Sequence, residues 1–313
     1  MYIKVRNKFL GAFFIALMWA SFSIWASQYW FDDLSLVVGS GWAVYLIAFI
    51  AIVPGFMNAF MFSSLLFDKR PERRHLEVYP NLTILIPCFN EESSVAETID
   101  SICKQTYSGE VEIIVIDDGS TDKTSAIVSE LEKTIPNLRL ITSPKNEGKS
   151  AALNIGLRRA MHELIITIDA DSYIYKDAIQ RIVERYSSDP EGTCAVAGTT
   201  LVRNSRVNWL TQSQEWDYFH GIATVKRVQS LNQGTLVAQG SFSIYSKSKL
   251  VEVGGWPSTV GEDIVLTWAL LEKGYRIGYC EDAIVFTIVP DTLVKFIKQR
   301  QRWARGMIEA FKY

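Results

Sequence analysis

The sequence predicts an α/β domain with a mainly parallel sheet, set behind a two-helix membrane anchor. Three observations support this. Two long uncharged apolar runs lie within residues 9–67. From residue 80, short apolar runs alternate with stretches of helical period. Acidic and amide residues gather directly after those short runs. The composition, 48% hydrophobic and 21% charged in 313 residues, suits a chain that buries a core and excludes a disordered one. A net charge of -2 gives no reason to expect a nucleic-acid partner. Cys88, Cys103, Cys194 and Cys280 stand far apart without a CxxC pair, against a zinc ribbon or a disulfide scaffold. His75, His162 and His220 are scattered and show no ligand spacing.

Neither Phe9–Phe31 nor Leu34–Phe67 contains a charge. Crossing the hydrocarbon core takes about 20 apolar residues, and both runs suffice. Pro54-Gly55 marks a kink or a break in the second run. A turn is expected at Asp32-Asp33. Lys4, Arg6 and Lys8 precede the first run; Lys69, Arg70, Arg73 and Arg74 follow the second. Positive flanks mark the cytoplasmic side, so the expected protein sits in the inner (plasma) membrane with its remaining bulk in the cytoplasm. A cleaved signal peptide is the competing reading of the first run. Bulky aromatics after Ser27 and the second apolar run weigh against it.

Leu82–Pro87, Val111–Asp117, Leu138–Thr142 and Leu164–Asp169 read as buried parallel strands. Helical stretches follow each: from a Ser94…Glu97 capping box to about Gln105, then Thr121–Leu131, Gly148–His162 and Asp177–Tyr186. Gln212, Glu215, Trp216, Asp217 and Tyr218 fall on a further helix, and Ile264–Leu271 forms another that ends at Gly274. Leu293, Phe296, Ile297, Met307, Ile308 and Phe311 recur at helical spacing against Lys295, Lys298, Arg302 and Arg305. That pattern is a basic amphipathic helix within about residues 291–313, suited to a membrane surface. The expected division is an anchor over 1–70 and a cytoplasmic domain over 71–313.

Ligands of such sheets bind beyond the carboxyl ends of the strands. Those ends carry Asn90-Glu91-Glu92, Asp117-Asp118-Gly119-Ser120, Asn146-Glu147-Gly148-Lys149 and Asp169-Ala170-Asp171. No GxGxxG follows the first strand, and Ser143 stands where a P-loop needs its first glycine. Clustered carboxylates tolerate a diphosphate only with a divalent cation between them, and Mg²⁺ binds through one or two carboxylates plus phosphate oxygens. Asp169-Ala170-Asp171 has that spacing, although a lone DxD is also common as a solvated turn.

Taken in order, Pro87-Cys88-Phe89-Asn90-Glu91, Asp117-Asp118-Gly119-Ser120-Thr121-Asp122, Asn146-Glu147-Gly148-Lys149, Asp169-Ala170-Asp171, Gly261-Glu262-Asp263 and Gln299-x-x-Arg302-Trp303 resemble the processive family 2 glycosyltransferases, membrane synthases of β-linked polysaccharides. The likeness covers roughly residues 80–313. The anchor and the Gln-Arg-Gln-Arg-Trp-Ala-Arg-Gly stretch resemble in particular the bacterial poly-β-1,6-N-acetylglucosamine synthases.

The resemblance implies a GT-A fold holding a UDP-sugar, with Mg²⁺ or Mn²⁺ as cofactor. It puts Pro87, Asn90 and Glu91 near the nucleotide and makes the Asp117-Asp118 pair the reader of uracil, without choosing between the two. Lys149 resembles a phosphate or nucleotide contact, with a helix-start lysine facing solvent as the close competing reading. Asp169 resembles the residue near ribose and metal, and Asp171 the metal ligand. Asp263 resembles the general base, although Gly261 departs from the threonine of many relatives. An aspartate there also suits a helix start. Arg302 resembles a cation for the departing diphosphate, Trp303 a face for the acceptor sugar, and Gln299 their hydrogen-bonding neighbour. Gln239-Gly240-Ser241-Phe242 falls where relatives shape the acceptor pocket.

The implied reaction is inverting transfer of N-acetylglucosamine to the end of a β-linked polysaccharide. Non-processive transfer of a single sugar, or of a different one, to a lipid or short acceptor, and a non-catalytic nucleotide-binding subunit, are the competing readings. Two helices are too few to enclose a polymer path. Truncation, a partner subunit or oligomer completing a channel, and no translocation all stay open.

Overall fold

The computed structural model describes residues 3–67 and 70–312. Lys69 of the positive flank and the terminal Tyr313 lie outside them. The chain divides into two compact units: Met1–Pro71 with Leu231–Gln233, and Glu72–Ser230 with Gly234–Tyr313.

In the first unit, α1 (Val5–Val38) is followed by α2 (Ser40–Leu46), a π-helical stretch (Ile47–Ile52) and α3 (Val53–Leu66). Two helical spans, Val5–Val38 and Ser40–Leu66, are long and apolar enough to cross a membrane. The turn expected at Asp32-Asp33 is corrected. The helix runs through both aspartates and stops at Gly39, whose φ of 83° leaves the right-handed region. Aspartate is tolerated within a helix, whereas a positive φ without cost needs glycine. Pro54 does not break the second span. It sits at the start of α3, just after the π-helical stretch, where its missing N–H interrupts the regular ladder. Ring contacts Phe9–Phe60 and Phe13–Phe56, at 5.6 and 5.8 Å, pair α1 and α3 antiparallel.

The second unit begins with β1 (Leu82–Cys88), α4 (Val95–Cys103), β2 (Val111–Asp117), α5 (Thr124–Glu132), β3 (Leu138–Thr142), α6 (Lys149–Arg159), β4 (Leu164–Ile168), β5 (Tyr173–Ile174) and α7 (Ala178–Ser188). It continues through β6 (Thr193–Val202), α8 (Trp209–Trp216), a π-helical stretch (Asp217–Thr224), α9 (Val225–Leu231), β7 (Phe242–Ser246), α10 (Lys247–Glu252), α11 (Glu262–Glu272), β8 (Arg276–Thr287) and α12 (Leu293–Ala310). The eight strands run in the order β3-β2-β1-β4-β7-β6-β8-β5. β3, β2, β1 and β4 are parallel, as their continuous apolar runs foretell; β7 pairs antiparallel with both β4 and β6. Ile84, Ile86 and Ile113 pack under α4 and α7, and Leu85, Ile114 and Ile116 under α6 and α11. Each such fully buried side chain contributes about 1.5–3 kcal/mol over exposure.

The Ser94…Glu97 capping box does not form. Ser94 Oγ instead donates to Glu91 Oε2 at 2.7 Å, and Glu97 receives both terminal nitrogens of Arg203 at 2.7 and 2.5 Å. The final helix, Leu293–Ala310, lies within the expected segment. It buries Gly306 and Ala310, while Leu293, Ile297, Met307, Ile308 and Phe311 are exposed.

Candidate active site

Register brings the ends of the parallel strands level: Cys88 pairs with Asp117, and Asp117 with Thr142. The loops leaving them are tied to one another. Asn90, at a φ of 58°, accepts the Thr121 N–H at Oδ1 (2.8 Å), and its own N–H donates to Ser120 Oγ (2.9 Å). The Glu91 N–H donates to Thr124 Oγ1. Pro87 is buried within β1.

The two adjacent aspartates are both buried but differ in use. Asp118 accepts the Glu147 N–H at Oδ1 (3.0 Å) and the Gly148 N–H at Oδ2 (2.7 Å). It is the clamp that holds the β3–α6 turn. Asp117 accepts only the Ser120 N–H, at Oδ1 (3.0 Å), leaving Oδ2 without a hydrogen bond among the described residues.

That turn starts α6 at Lys149, whose ammonium is hydrogen-bonded to Asp169 Oδ1. Lys149, though partly exposed, is therefore turned into the site rather than left free in solvent. Burial pushes its pKa down, but Asp169, Glu262 and Asp263 outweigh this and hold it above the ordinary lysine value. The free N–H groups of the first turn of α6 face the same end of the sheet.

Asp169 and Asp171 follow β4. Burial, then Asp169 and Glu91, push the Asp171 carboxyl up to about 7. Among the described residues no three metal-ligating side chains are gathered around one point. Two hard carboxylates pressed together without full compensation still fit a divalent cation that takes its remaining ligands from substrate phosphates and water.

On the other side, α11 starts at Glu262-Asp263. Asp263 accepts the Ile264 N–H at Oδ1 (2.9 Å) and the Gly240 N–H at Oδ2 (3.3 Å). Glu262, to which no role was expected, lies against the same cluster; burial and Asp263 push its carboxyl up to about 7. A Cβ on Gly240 would stand 2.8 Å from Lys149 Nζ, so this glycine lets the backbone close onto the lysine. The sequence therefore folds six of its expected residues, Asp117, Asp118, Lys149, Asp169, Asp171 and Asp263, around one end of the sheet.

The α12 residues fare unevenly. Arg302 is exposed and has no hydrogen-bond or ion-pair partner among the described residues. Trp303 is half-buried against Tyr218, and the guanidinium of Arg300 covers its ring at 4.4 Å. Arg300 also pairs with Asp217 at 2.7 Å, where the π-helical stretch begins. Among the described residues, Gln299 Oε1 is buried without a hydrogen bond, and Gln299 makes none to Arg302. Sequence reasoning missed Arg300. It also missed Lys226, 7% exposed on α9, whose ammonium is hydrogen-bonded to Gln239 Oε1. Burial pushes Lys226 down to about 7, against the pull of Asp263. Its neighbours in sequence, Val225 and Arg227, offer no motif that would have marked it.

The site thus sits at the acidic end of a half-parallel sheet and is crossed by the Lys149–Asp169 pair. The model of glycosyl transferase family 2 matches residues 83–254, and the chain belongs to that family. Poly-beta-1,6-N-acetyl-D-glucosamine synthase of Staphylococcus aureus is 32% identical over 240 residues, 76% of this chain and 57% of the relative. The synthase of the same name from Staphylococcus epidermidis is 35% identical over 226 residues, 72% of this chain and 54% of the relative. The chain thus spans little more than half the length of these curated relatives. Among solved structures, the mannosyltransferase PcManGT of Pyrobaculum calidifontis, in complex with GDP-Man and Mn²⁺, superposes with a TM-score of 0.65 at 23% identity, covering 82% of this chain and 74% of that one. S. aureus TarS 1–349 in complex with UDP-GlcNAc gives a TM-score of 0.52 at 21% identity, covering 68% of this chain and 59% of that one. These two likenesses establish the GT-A fold.

Proposed function

We propose that the chain is an inverting glycosyltransferase of the inner membrane, which transfers N-acetylglucosamine from a UDP-sugar to the growing end of a β-linked polysaccharide. The gathering of Asp117, Lys149, Asp169, Asp171 and Asp263 at one end of the sheet carries this reading. The curated relatives' printed activity supports the choice of sugar and product. The two membrane-length helices support the location.

Asp117 reads the uracil imide N–H, because both oxygens of Asp118 are already occupied by backbone amides. Asp171 and Asp169 would hold Mg²⁺ or Mn²⁺, which when bound neutralises the diphosphate. Lys149 keeps Asp169 in place and adds a positive charge beside the phosphates. Arg302, free of protein partners among the described residues, is available to hold phosphate oxygens in a bidentate grip. Asp263 takes the proton of the acceptor hydroxyl as its oxygen attacks the anomeric carbon from the side opposite the departing UDP. The Gly240 and Ile264 amides fix the carboxylate for that task and leave lone pairs for the proton. Trp303 serves the acceptor sugar with whatever ring surface Arg300 leaves open.

Membranes carrying the protein are incubated with radiolabelled UDP-N-acetylglucosamine, UDP-glucose or UDP-glucuronic acid, and the product is sized. Incorporation of N-acetylglucosamine into long chains is expected. Short products would remove processivity, and incorporation from another donor would change the sugar. No incorporation despite tight UDP binding would sink the enzyme reading.

A further inference from the structure

Behind the carboxylates, a row of hydrogen bonds runs from the buried Lys226 to the surface of the site. Lys226 on α9 donates to Gln239 Oε1. Gln239 Nε2 donates to Gly198 O at 2.9 Å and to Thr200 Oγ1 at 2.7 Å. Thr200 Oγ1 lies 2.8 Å from Ser241 Oγ. Donor and acceptor roles along this row follow from its ends. An ammonium only donates, so it must face the amide oxygen of Gln239; a backbone carbonyl only accepts, so Gly198 must face the amide nitrogen. Thr200 is buried and receives the amide proton, and Ser241 is the one acceptor in reach for its own hydroxyl proton. Ser241, itself half-exposed, is thereby left with a proton that no described residue accepts.

The position of that proton matters. The Ser241 carbonyl accepts the Asp169 N–H at 3.4 Å, and the Gly240 N–H donates to Asp263 at 3.3 Å. Ser241 therefore stands between the diphosphate side and the acceptor side of the cluster.

We propose that Lys226 is a positioning residue, which through Gln239 and Thr200 sets the Ser241 hydroxyl as a hydrogen-bond donor to the sugar of a nucleotide-sugar donor. The inference rests on the UDP-sugar reading above. Reversing any bond of the row orphans a buried donor or sets two acceptors face to face, so the Gly198 carbonyl on the amide nitrogen, together with the Lys226 amine donating to the amide oxygen, makes the direction one-way.

The test is calorimetric titration of the detergent-solubilised full chain with UDP and with UDP-N-acetylglucosamine. Lys226→Met, Thr200→Val and Ser241→Ala are expected to keep wild-type UDP affinity. Each weakens UDP-N-acetylglucosamine by the same factor, roughly tenfold for one lost hydrogen bond. The Lys226→Met/Ser241→Ala pair is no weaker than either single variant, and Lys226→Arg restores binding. Losses that multiply in the double variant, or an unaffected Ser241→Ala, overturn the relay. Should Lys226→Met lose UDP binding through misfolding, Thr200→Val paired with Ser241→Ala decides by the same comparison. A wild-type chain that binds neither UDP nor UDP-N-acetylglucosamine overturns the underlying reading, and the relay with it.

Discussion

Gly261 and Gly306 meet backbone to backbone: a Cβ on Gly261 would stand 2.7 Å from the Gly306 carbonyl oxygen. This contact seats α12 on the start of α11, beside Glu262-Asp263, and the Val260 N–H donating to Glu309 Oε2 at 3.1 Å secures it. Gly261 is thus matched by a second glycine across the interface. Gly261→Ala is expected to cost about 1–3 kcal/mol as an overpacked contact. It also shifts α12, which carries the Arg302 proposed to hold the diphosphate, so turnover is expected to fall more than UDP affinity. Thermal unfolding and steady-state kinetics of the solubilised chain check both; unchanged values would show that the helix docks by other means.

Asp263→Asn preserves the shape of the carboxylate and most of its contacts. UDP binding is expected to stay at the wild-type level, while transfer drops by about 10²–10⁴-fold, the usual contribution of a general base. Transfer that survives the substitution removes Asp263 from that role.

Asp117 and Asp118 are expected to separate cleanly. Asp117→Asn leaves the fold intact and weakens UDP, since an amide set to accept the imide proton also presents a competing donor. Asp118→Ala frees the Glu147 and Gly148 amides, at about 1–3 kcal/mol for the buried groups left unpaired. It loosens the turn that presents Lys149. Comparing melting temperature with UDP affinity for the two variants tests this; a loss of stability in Asp117→Asn, or of affinity alone in Asp118→Ala, would reverse the assignment.

Glu184 makes a pH prediction remote from the site. Its side chain is 2% exposed and receives Tyr79 Oη at 2.5 Å, Gln180 Nε2 at 2.8 Å and His75 Nδ1 at 2.7 Å, with Arg73 Nε at 3.3 Å. Burial pushes its pKa up, but the bonds from Tyr79, Gln180 and His75 outweigh this and hold it below the ordinary glutamate value. A carboxyl with a lowered folded-state pKa stabilises above its unfolded value, near 4.3, and that stability is lost as pH falls through the folded value. Melting of the wild type is therefore expected to fall more steeply below about pH 4.3 than that of Glu184→Gln. Parallel curves would rule out a linked Glu184 contribution.

Much of this molecule is legible in its amino-acid sequence. The period of the apolar residues decides strand or helix locally, so β1–β4 and their helices fall close to where pattern puts them. Unpaired polar side chains are costly to bury within a parallel sheet, so most collect at its ends, and the candidate site is visible as a series of acidic strand ends. Signals that compete locally are less legible. Asp32-Asp33 looks like a turn because it is charged, yet Gly39 ends the helix because only backbone conformation does so. Ser94…Glu97 has the spacing of a capping box, yet Arg203, 106 residues away, takes the glutamate.

Residue type and spacing along single segments were enough to define the family's α/β architecture, the membrane-length helices and the acidic strand ends that line the candidate site. The rest was settled in three dimensions: that Asp118 is spent on a turn while Asp117 keeps a free oxygen, that Lys149 is tied to Asp169, that Arg300 covers Trp303, and that Lys226 stands behind Gln239. Those are pairings between segments distant in the chain. Their partners are selected by strand register and helix docking, and no local spacing encodes which donor will meet which acceptor.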